Sequence, residues 1–202
     1  MSIANYITFI RIFVSPVFLL VYIAHDSFGI SDLSLPYVLL FLLGVSELSD
    51  AFDGYIARRY NEVSDFGKLF DPMADNIART SVLLTFTQPP VSLPLPLIFV
   101  FLYRDSVIGT LRMICALRGF ALAARKSGKL KAILQALSFF TVLGLMIPHS
   151  LGRISSEELT SISTGIVAVV ALYSFCSGID YIRANRHYIA MVLGTGNDGR
   201  KL

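Results

Sequence analysis

The stretch "SDAFDGYIARRYNEVSDFGKLFDPMAD" carries the aspartates Asp50, Asp53, Asp71 and Asp75. Asp50 and Asp53 are three residues apart, Asp71 and Asp75 four. On a helix either spacing puts both carboxylates on one face, one turn from each other. Carboxylates gathered this way repel one another, and in a membrane they are costly. A divalent cation relieves both problems, and an all-carboxylate donor set suits Mg2+, Mn2+ or Ca2+ rather than zinc. Gly54 and Ala57 let a bulky ligand approach the helix backbone closely. Arg58, one turn beyond Gly54, offers a forked donor for phosphate oxygens. Gly67, expected in an intervening loop, brings backbone amides to the same ligand. The chemistry this describes is a metal-bridged di- or pyrophosphate, in which two ions about 4 Å apart hold both the attacking and the leaving oxygen. A single aspartate pair also reads as an ion pair or a helix cap, and Asp71 before Pro72 has the look of a cap.

The elements that must position these groups are apolar. The chain has 202 residues, 54% of them hydrophobic and 15% charged, against roughly a quarter charged in soluble domains. That composition is a membrane protein's. The net charge of +3 excludes the strongly basic footprint of a nucleic-acid binder. A bilayer-crossing helix needs about 20 mostly apolar residues, and six segments qualify. They run from Asn5 to Ala24, Pro36 to Tyr60, Pro72 to just before Gln88, Pro94 to Leu117, Lys129 to Ile147 where Pro148 stops it, and Glu157 to Arg183. The last follows a capping box, Ser155 to Glu158. The first contains Arg11 and Pro16 and is long enough to span, so it is expected to be a retained helix and not a signal peptide.

Loop charge sets the orientation. One side of the six-span arrangement holds Arg58, Arg59, Lys68, Arg118, Arg125, Lys126, Lys129, Lys131, Arg183, Arg186, Arg200 and Lys201, and the opposite loops hold Arg153. Both termini and the aspartate stretch are therefore expected on the cytoplasmic side. A single domain is expected over residues 1–187, followed by a loosely ordered tail, 188–202. Cys115 and Cys176 read as small buried hydrophobes. His25, His149 and His187 have no ligand spacing and read as surface residues. "GTGNDG" at Gly194 to Gly199 fits a dinucleotide fingerprint, but no strand precedes it and no helix has room to follow.

The same stretch fits D-x2-D-G-x2-A-R-x8-G-x3-D-x3-D at every fixed position, Asp50, Asp53, Gly54, Ala57, Arg58, Gly67, Asp71 and Asp75. This resembles the signature of the CDP-alcohol phosphotransferase family. The resemblance implies an all-α membrane enzyme of six transmembrane helices enclosing a polar cavity open to the cytoplasm. It implies that the four aspartates bind two divalent cations, Mg2+ or Mn2+, and that Asp75 also acts as the base. Asn5, Thr8, Gly54, Ala57, Arg58 and Gly67 would then bind the CDP donor, with Ser64 a weaker candidate. It also implies a homodimer.

Further stretches are similar to one branch of that family, the phosphatidylglycerophosphate synthases of bacterial cytoplasmic membranes. They are "NYITFIRIFVSPVF", "YRDSVIGTLRMICALRG", "SGKLKAILQ" and "SGIDYIR". This likeness implies transfer of the phosphatidyl group of CDP-diacylglycerol to glycerol 3-phosphate, with release of CMP. Arg104, Arg112, Lys126, Lys129 and Lys131 sit at or near the ends of the fourth and fifth spans. Arg104, Arg112, Lys129 and Lys131 are the candidates for holding the acceptor phosphate, although basic residues at helix ends also anchor at the headgroup level, and Arg104 also reads as an ion pair with Asp105. The chain departs from the branch's pattern at Asn76 and Ala132, where lysine and threonine are expected. That leaves inositol phosphate or serine open as acceptors. A reading of another class, a divalent-ion transporter, would place its carboxylates near the membrane midplane; here they cluster at one face.

Overall fold

The computed structural model describes residues 3–60, 65–119, 122 and 125–194, with side chains described for 11–49, 52, 71–119, 122, 125–191 and 194. Among the described residues the regular structure is helical. It comprises α1 (Ile3–Ala24), a short 3-10 turn (His25–Phe28), α2 (Leu35–Tyr60), α3 (Asp65–Thr85), α4 (Leu95–Leu117), α5 (Lys126–Ser150), α6 (Ser156–Ala184) and α7 (Arg186–Gly194).

Among the described residues three stretches are long and apolar enough to cross a membrane: Arg11–Phe28, Lys126–Ser150 and Ser156–Ala184. α4 misses that mark because Arg104, Asp105 and Arg112 interrupt it. The outside of the molecule is greasy. Phe13, Leu20, Ile23, Phe41, Leu137, Val169 and Leu172 are each more than half exposed, which suits lipid tails and not water.

α1 packs on α2 and α3, α5 on α2 and α6, and α4 on α3 and α6, so six helices close into a ring. The interior is polar at one end and apolar at the other. In α1, α3 and α5 the buried cations precede the large buried apolar side chains: Arg11 before Phe18 and Tyr22, Arg79 before Val82 and Leu83, Lys131 before Val142 and Met146. In α2, α4 and α6 the order reverses. Leu39 and Leu43 precede the partly buried Glu47, Phe101 precedes Arg104 and Asp105, and Leu159 and Val167 precede Ser174 and Ser177. Alternating chain direction thus collects the charges at a single end of the bundle. The other end is closed by aromatic packing of Phe86 on Phe18 (6.3 Å), Tyr22 (6.4 Å) and Phe139 (6.0 Å). There the Tyr22 hydroxyl donates to the Gln88 carbonyl at 3.1 Å.

Several expectations need correction. α3 does not begin near Pro72 but at Asp65, and Pro72 lies inside it. A proline two turns into a helix loses the hydrogen bond to the Lys68 carbonyl and crowds that oxygen with its ring, a cost that the helix formers Leu69, Met73 and Ala74 around it offset only in part. Asp71 is therefore a helix-interior residue and no cap, and Gly67 belongs to the helix and not to a loop. α5 likewise continues past Pro148 to Ser150, where Arg153 N–H returns to the Pro148 carbonyl at 2.9 Å. The segment expected to be loose from residue 188 is helical as far as Gly194. Cys115 is buried, but Cys176 is exposed because it faces outward from α6, where the surroundings are apolar all the same. His25 does have acidic neighbours: it lies 2.8 Å from Asp32, and its ring groups with Asp26 and Asp32 within 4.8 Å. Sequence spacing missed this because the turn after α1 folds back. The group is at the apolar end of the bundle, away from Asp75. The capping box is present as expected, with Glu158 N–H donating to Ser155 Oγ at 3.2 Å and Ser155 N–H to Glu158 Oε2 at 2.8 Å.

Candidate active site

Among the described residues, two charged networks are buried toward the polar end. The first centres on Arg79, a buried guanidinium on α3. Its Nε donates to Asp75 Oδ1 at 2.7 Å, its Nη2 to Glu47 Oε2 on α2 at 3.3 Å, and its Nη1 to the Ala132 carbonyl on α5 at 3.1 Å. Asp75 and Arg79 meet because they are four residues apart on one helix. A cavity of about 10 Å3, enough for one water molecule, lies against Arg11, Ser46, Glu47, Asp75 and Arg79. Asn76 Oδ1, beside Asp75, accepts from the Thr80 hydroxyl at 3.3 Å.

The second network centres on Asp105. Its two oxygens are divided between Arg104 Nη1 and Lys131 Nζ, each at 2.7 Å. Arg104 Nη2 also donates to Ser177 Oγ on α6 at 3.2 Å. The ammonium of Lys131 sits 5.7 Å from the centre of the Phe101 ring. Gly178 allows this arrangement: a Cβ there would stand 3.1 Å from Arg104 Cγ. The two networks adjoin, because Ala132, which Arg79 holds, follows Lys131 on α5. One turn on, Gln135 is 1% exposed and its amide finds no hydrogen-bond partner.

Of the expected acceptor-phosphate residues, Arg104 and Lys131 come together, and both are ion-paired to Asp105. Arg112 lies farther along α4, where its Nε donates to the Tyr181 hydroxyl at 3.2 Å and its guanidinium lies 5.2 Å from that ring's centre. Lys129 is exposed on the first turn of α5, as is Lys126. That turn is held to α6 by Asp180, which binds Arg125 Nε at 3.0 Å and Ser127 Oγ at 2.7 Å. Of the aspartates, Asp71 and Asp75 lie one turn apart on α3, both partly exposed. Ser64 lies outside the described residues. Asn5, Thr8, Asp50, Asp53, Gly54, Ala57, Arg58 and Gly67 lie outside them beyond their helical backbone.

Sequence reasoning passed over Glu47, Arg79 and Asp180, and saw Asp105 only as a partner of Arg104. The signal for the first two was present. Glu47 is three residues before Asp50 and Arg79 four after Asp75, so the spacing that picks out the aspartates extends one more turn on each helix. Asp105 was legible as the ion-pair partner of Arg104, and the pair is present at 2.7 Å; its second partner Lys131, and the role of Asp180, left no such signal because those contacts cross between helices.

A family model described as CDP-alcohol phosphatidyltransferase matches residues 1–176. The chain belongs to this family. Among curated relatives, the CDP-diacylglycerol–glycerol-3-phosphate 3-phosphatidyltransferase of Rickettsia typhi is 30% identical over 187 residues, 93% of this chain and 98% of that protein. The protein of that name from Bacillus subtilis is 28% identical over 190 residues, 91% of this chain and 95% of its own length. The one from Mycoplasma genitalium is 31% identical over 176 residues, 82% of this chain and 72% of its own. As a CDP-alcohol phosphatidyltransferase, this chain is an enzyme that acts at a phosphoanhydride, and a carboxylate pair on one helix face fits a hard divalent ion by donor chemistry.

Proposed function

We propose that this chain transfers the phosphatidyl group of CDP-diacylglycerol to glycerol 3-phosphate, forming phosphatidylglycerophosphate and CMP. The observation that carries the reading is the meeting of the two networks: the carboxylates of α3 adjoin the cations Arg104 and Lys131 through the Arg79–Ala132 contact. The naming of the curated relatives supports glycerol 3-phosphate as the acceptor. On this reading all six helices of the ring span the bacterial cytoplasmic membrane. The polar end and both termini face the cytoplasm, and the enzyme works as a homodimer.

Helix register supports the metal assignment. Glu47 on α2 meets Arg79 on α3, and the two helices run in opposite directions on either side of the short 61–64 connection. One turn toward that connection, Asp50 comes level with Asp75, and Asp53 falls between the levels of Asp75 and Asp71. Asp50, Asp53, Asp71 and Asp75 would hold two divalent ions, which when bound neutralise the pyrophosphate and the leaving phosphate. Asp75 accepts the proton of the acceptor hydroxyl. The resulting alkoxide forms a new bond to the phosphatidyl phosphorus as the bond to CMP breaks. Arg58 meets the charge that develops on CMP. Gly54, Ala57 and Gly67 admit the cytidine diphosphate to the helix backbones, with Asn5, Thr8 and Ser64 beside it. Arg104, Arg112, Lys129 and Lys131 receive the acceptor phosphate.

The test is an acceptor screen. Purified enzyme with CDP-diacylglycerol and Mg2+ is expected to release CMP with glycerol 3-phosphate and not with inositol phosphate, serine or choline. Chelation with EDTA should abolish the release, and Mg2+ should restore it. Preferential release with inositol phosphate or serine would replace the acceptor while leaving the donor chemistry standing.

A further inference from the structure

We infer that Arg79 is the positioning residue of the carboxylate site and its resident counter-cation, orienting Asp75 and compensating the acidic cluster before any divalent ion binds. The inference rests on the reading of Asp75 as a metal ligand, and goes beyond it by assigning Arg79 and Glu47.

The geometry is that of a three-way fork. Nε, Nη1 and Nη2 leave the planar guanidinium in different directions, toward Asp75 on α3, Ala132 on α5 and Glu47 on α2. A lysine ammonium at the same place carries the charge, but it cannot reach three partners so widely separated. The guanidinium is 8% exposed, Glu47 26% and Asp75 37%. The ion pair therefore grades from an interior anchor to an accessible end, with Asp75 outermost. Of these three groups an incoming cation meets Asp75 first, and finds one of its oxygens already fixed at 2.7 Å from Arg79. Binding of that cation brings two positive charges to one carboxylate. Ion binding then works partly against Arg79, and the site holds its ion less tightly than an uncompensated cluster would. That suits a site from which charged products must leave. The same guanidinium fixes the backbone of α5 next to Lys131, so the orientation of Asp75 and the placement of the second network share one anchor.

Two variants separate charge from geometry. Arg79→Gln removes the charge. Its folded form should unfold at a lower temperature without Mg2+, should gain more from added Mg2+ than the parent does, and should bind Mg2+ about tenfold more tightly by calorimetry, comparable to the effect of an adjacent cation on a carboxylate. Its turnover should nevertheless fall by about tenfold or more, because Asp75 is no longer oriented. Arg79→Lys keeps the charge. Its Mg2+ affinity should stay near the parent's, while its turnover falls much as in Arg79→Gln. If both variants lose thermal stability equally with and without Mg2+ and keep parental turnover per folded molecule, Arg79 is only a structural tie and the inference is overturned. Asp75→Asn serves as the control for the underlying reading. Unchanged Mg2+ binding in that variant removes Asp75 from the metal site, whatever the Arg79 variants do. If Arg79→Gln does not fold, the double variant Arg79→Gln with Glu47→Gln removes both charges, and the same comparison with Arg79→Lys decides.

Discussion

Asp105 holds two cations with one carboxylate, and its side chain is 13% exposed against 5% for Lys131 and 14% for Arg104. The members of such a cluster are not equivalent. Replacing Lys131 by methionine leaves Asp105 paired with Arg104. Replacing Asp105 by asparagine leaves two neighbouring cations without a counter-charge. Breaking a buried pair from one side costs about 3–5 kcal/mol. Asp105→Asn should therefore lower the thermal midpoint in detergent well below that of Lys131→Met. Turnover separates them in the other direction: if Lys131 receives the acceptor phosphate, Lys131→Met raises the Michaelis constant for glycerol 3-phosphate and leaves that for CDP-diacylglycerol nearly unchanged. Equal effects on both constants would take Lys131 out of the acceptor pocket. The cations of this network were visible in the sequence as basic residues near helix ends. The pairing of Arg104 with its neighbour Asp105 was visible too, but the sharing of that carboxylate with Lys131 was not, because a contact between α4 and α5 leaves no periodic trace in either helix.

At the scale of elements, the long helices could be read from composition, and so could the ends of α1, α2 and α4 at Ala24, Tyr60 and Leu117. Ser155 and Glu158 mark the start of α6 because a capping box is a local device, three residues long in reach. Pro72 and Pro148 misled because each was read as a helix boundary, whereas both lie inside helices, at a cost in backbone hydrogen bonding that the rest of the helix outweighs. The functional consequence is larger at Pro72. With α3 continuous from Asp65, Asp71, Asp75 and Arg79 lie along one unbroken helix face. The two ends of α6 give opposite predictions. Ser155→Ala removes a cap at the end away from the charges and should cost about 1 kcal/mol of stability, with unchanged turnover at permissive temperature. Asp180→Asn releases the first turn of α5 from α6. That bridge is 41–43% exposed, and exposed pairs contribute about 0–1 kcal/mol, so the melting temperature should hardly move. Because the released turn leads directly to Lys129 and Lys131, the Michaelis constant for the acceptor should rise several-fold. A loss of melting temperature without that rise would make Asp180 a structural contact only.

For the whole molecule, the interior and the loops report the same polarity by independent routes. The buried charges collect toward one end because Arg11, Arg79 and Lys131 precede the large apolar side chains of α1, α3 and α5, whereas Glu47 follows Leu43 in α2 and Arg104 follows Phe101 in α4. The basic loop residues Arg118, Arg125 and Lys126 belong to that end too, whereas the opposite end has the α1–α2 and α5–α6 turns with Asp26, Asp32 and Arg153. By the positive-inside rule this charge distribution supports the proposed placement of the polar end in the cytoplasm, where a soluble phosphate acceptor and CMP could enter and leave. Labelling tests this without reference to catalysis. In a background with Cys115→Ser and Cys176→Ser, a single thiol introduced by Asp32→Cys should react with a membrane-impermeant maleimide added to intact spheroplasts. One introduced by Arg118→Cys should react only after the membrane is opened. The reverse pattern would place the aspartates on the outer face, away from any cytoplasmic nucleotide donor, and the proposed reaction would lose its substrate supply. Labelling of both thiols in intact cells would mean that the ring does not stand across the bilayer. The six-span arrangement would then fail even though α1, α5 and α6 each have the length and apolarity to cross.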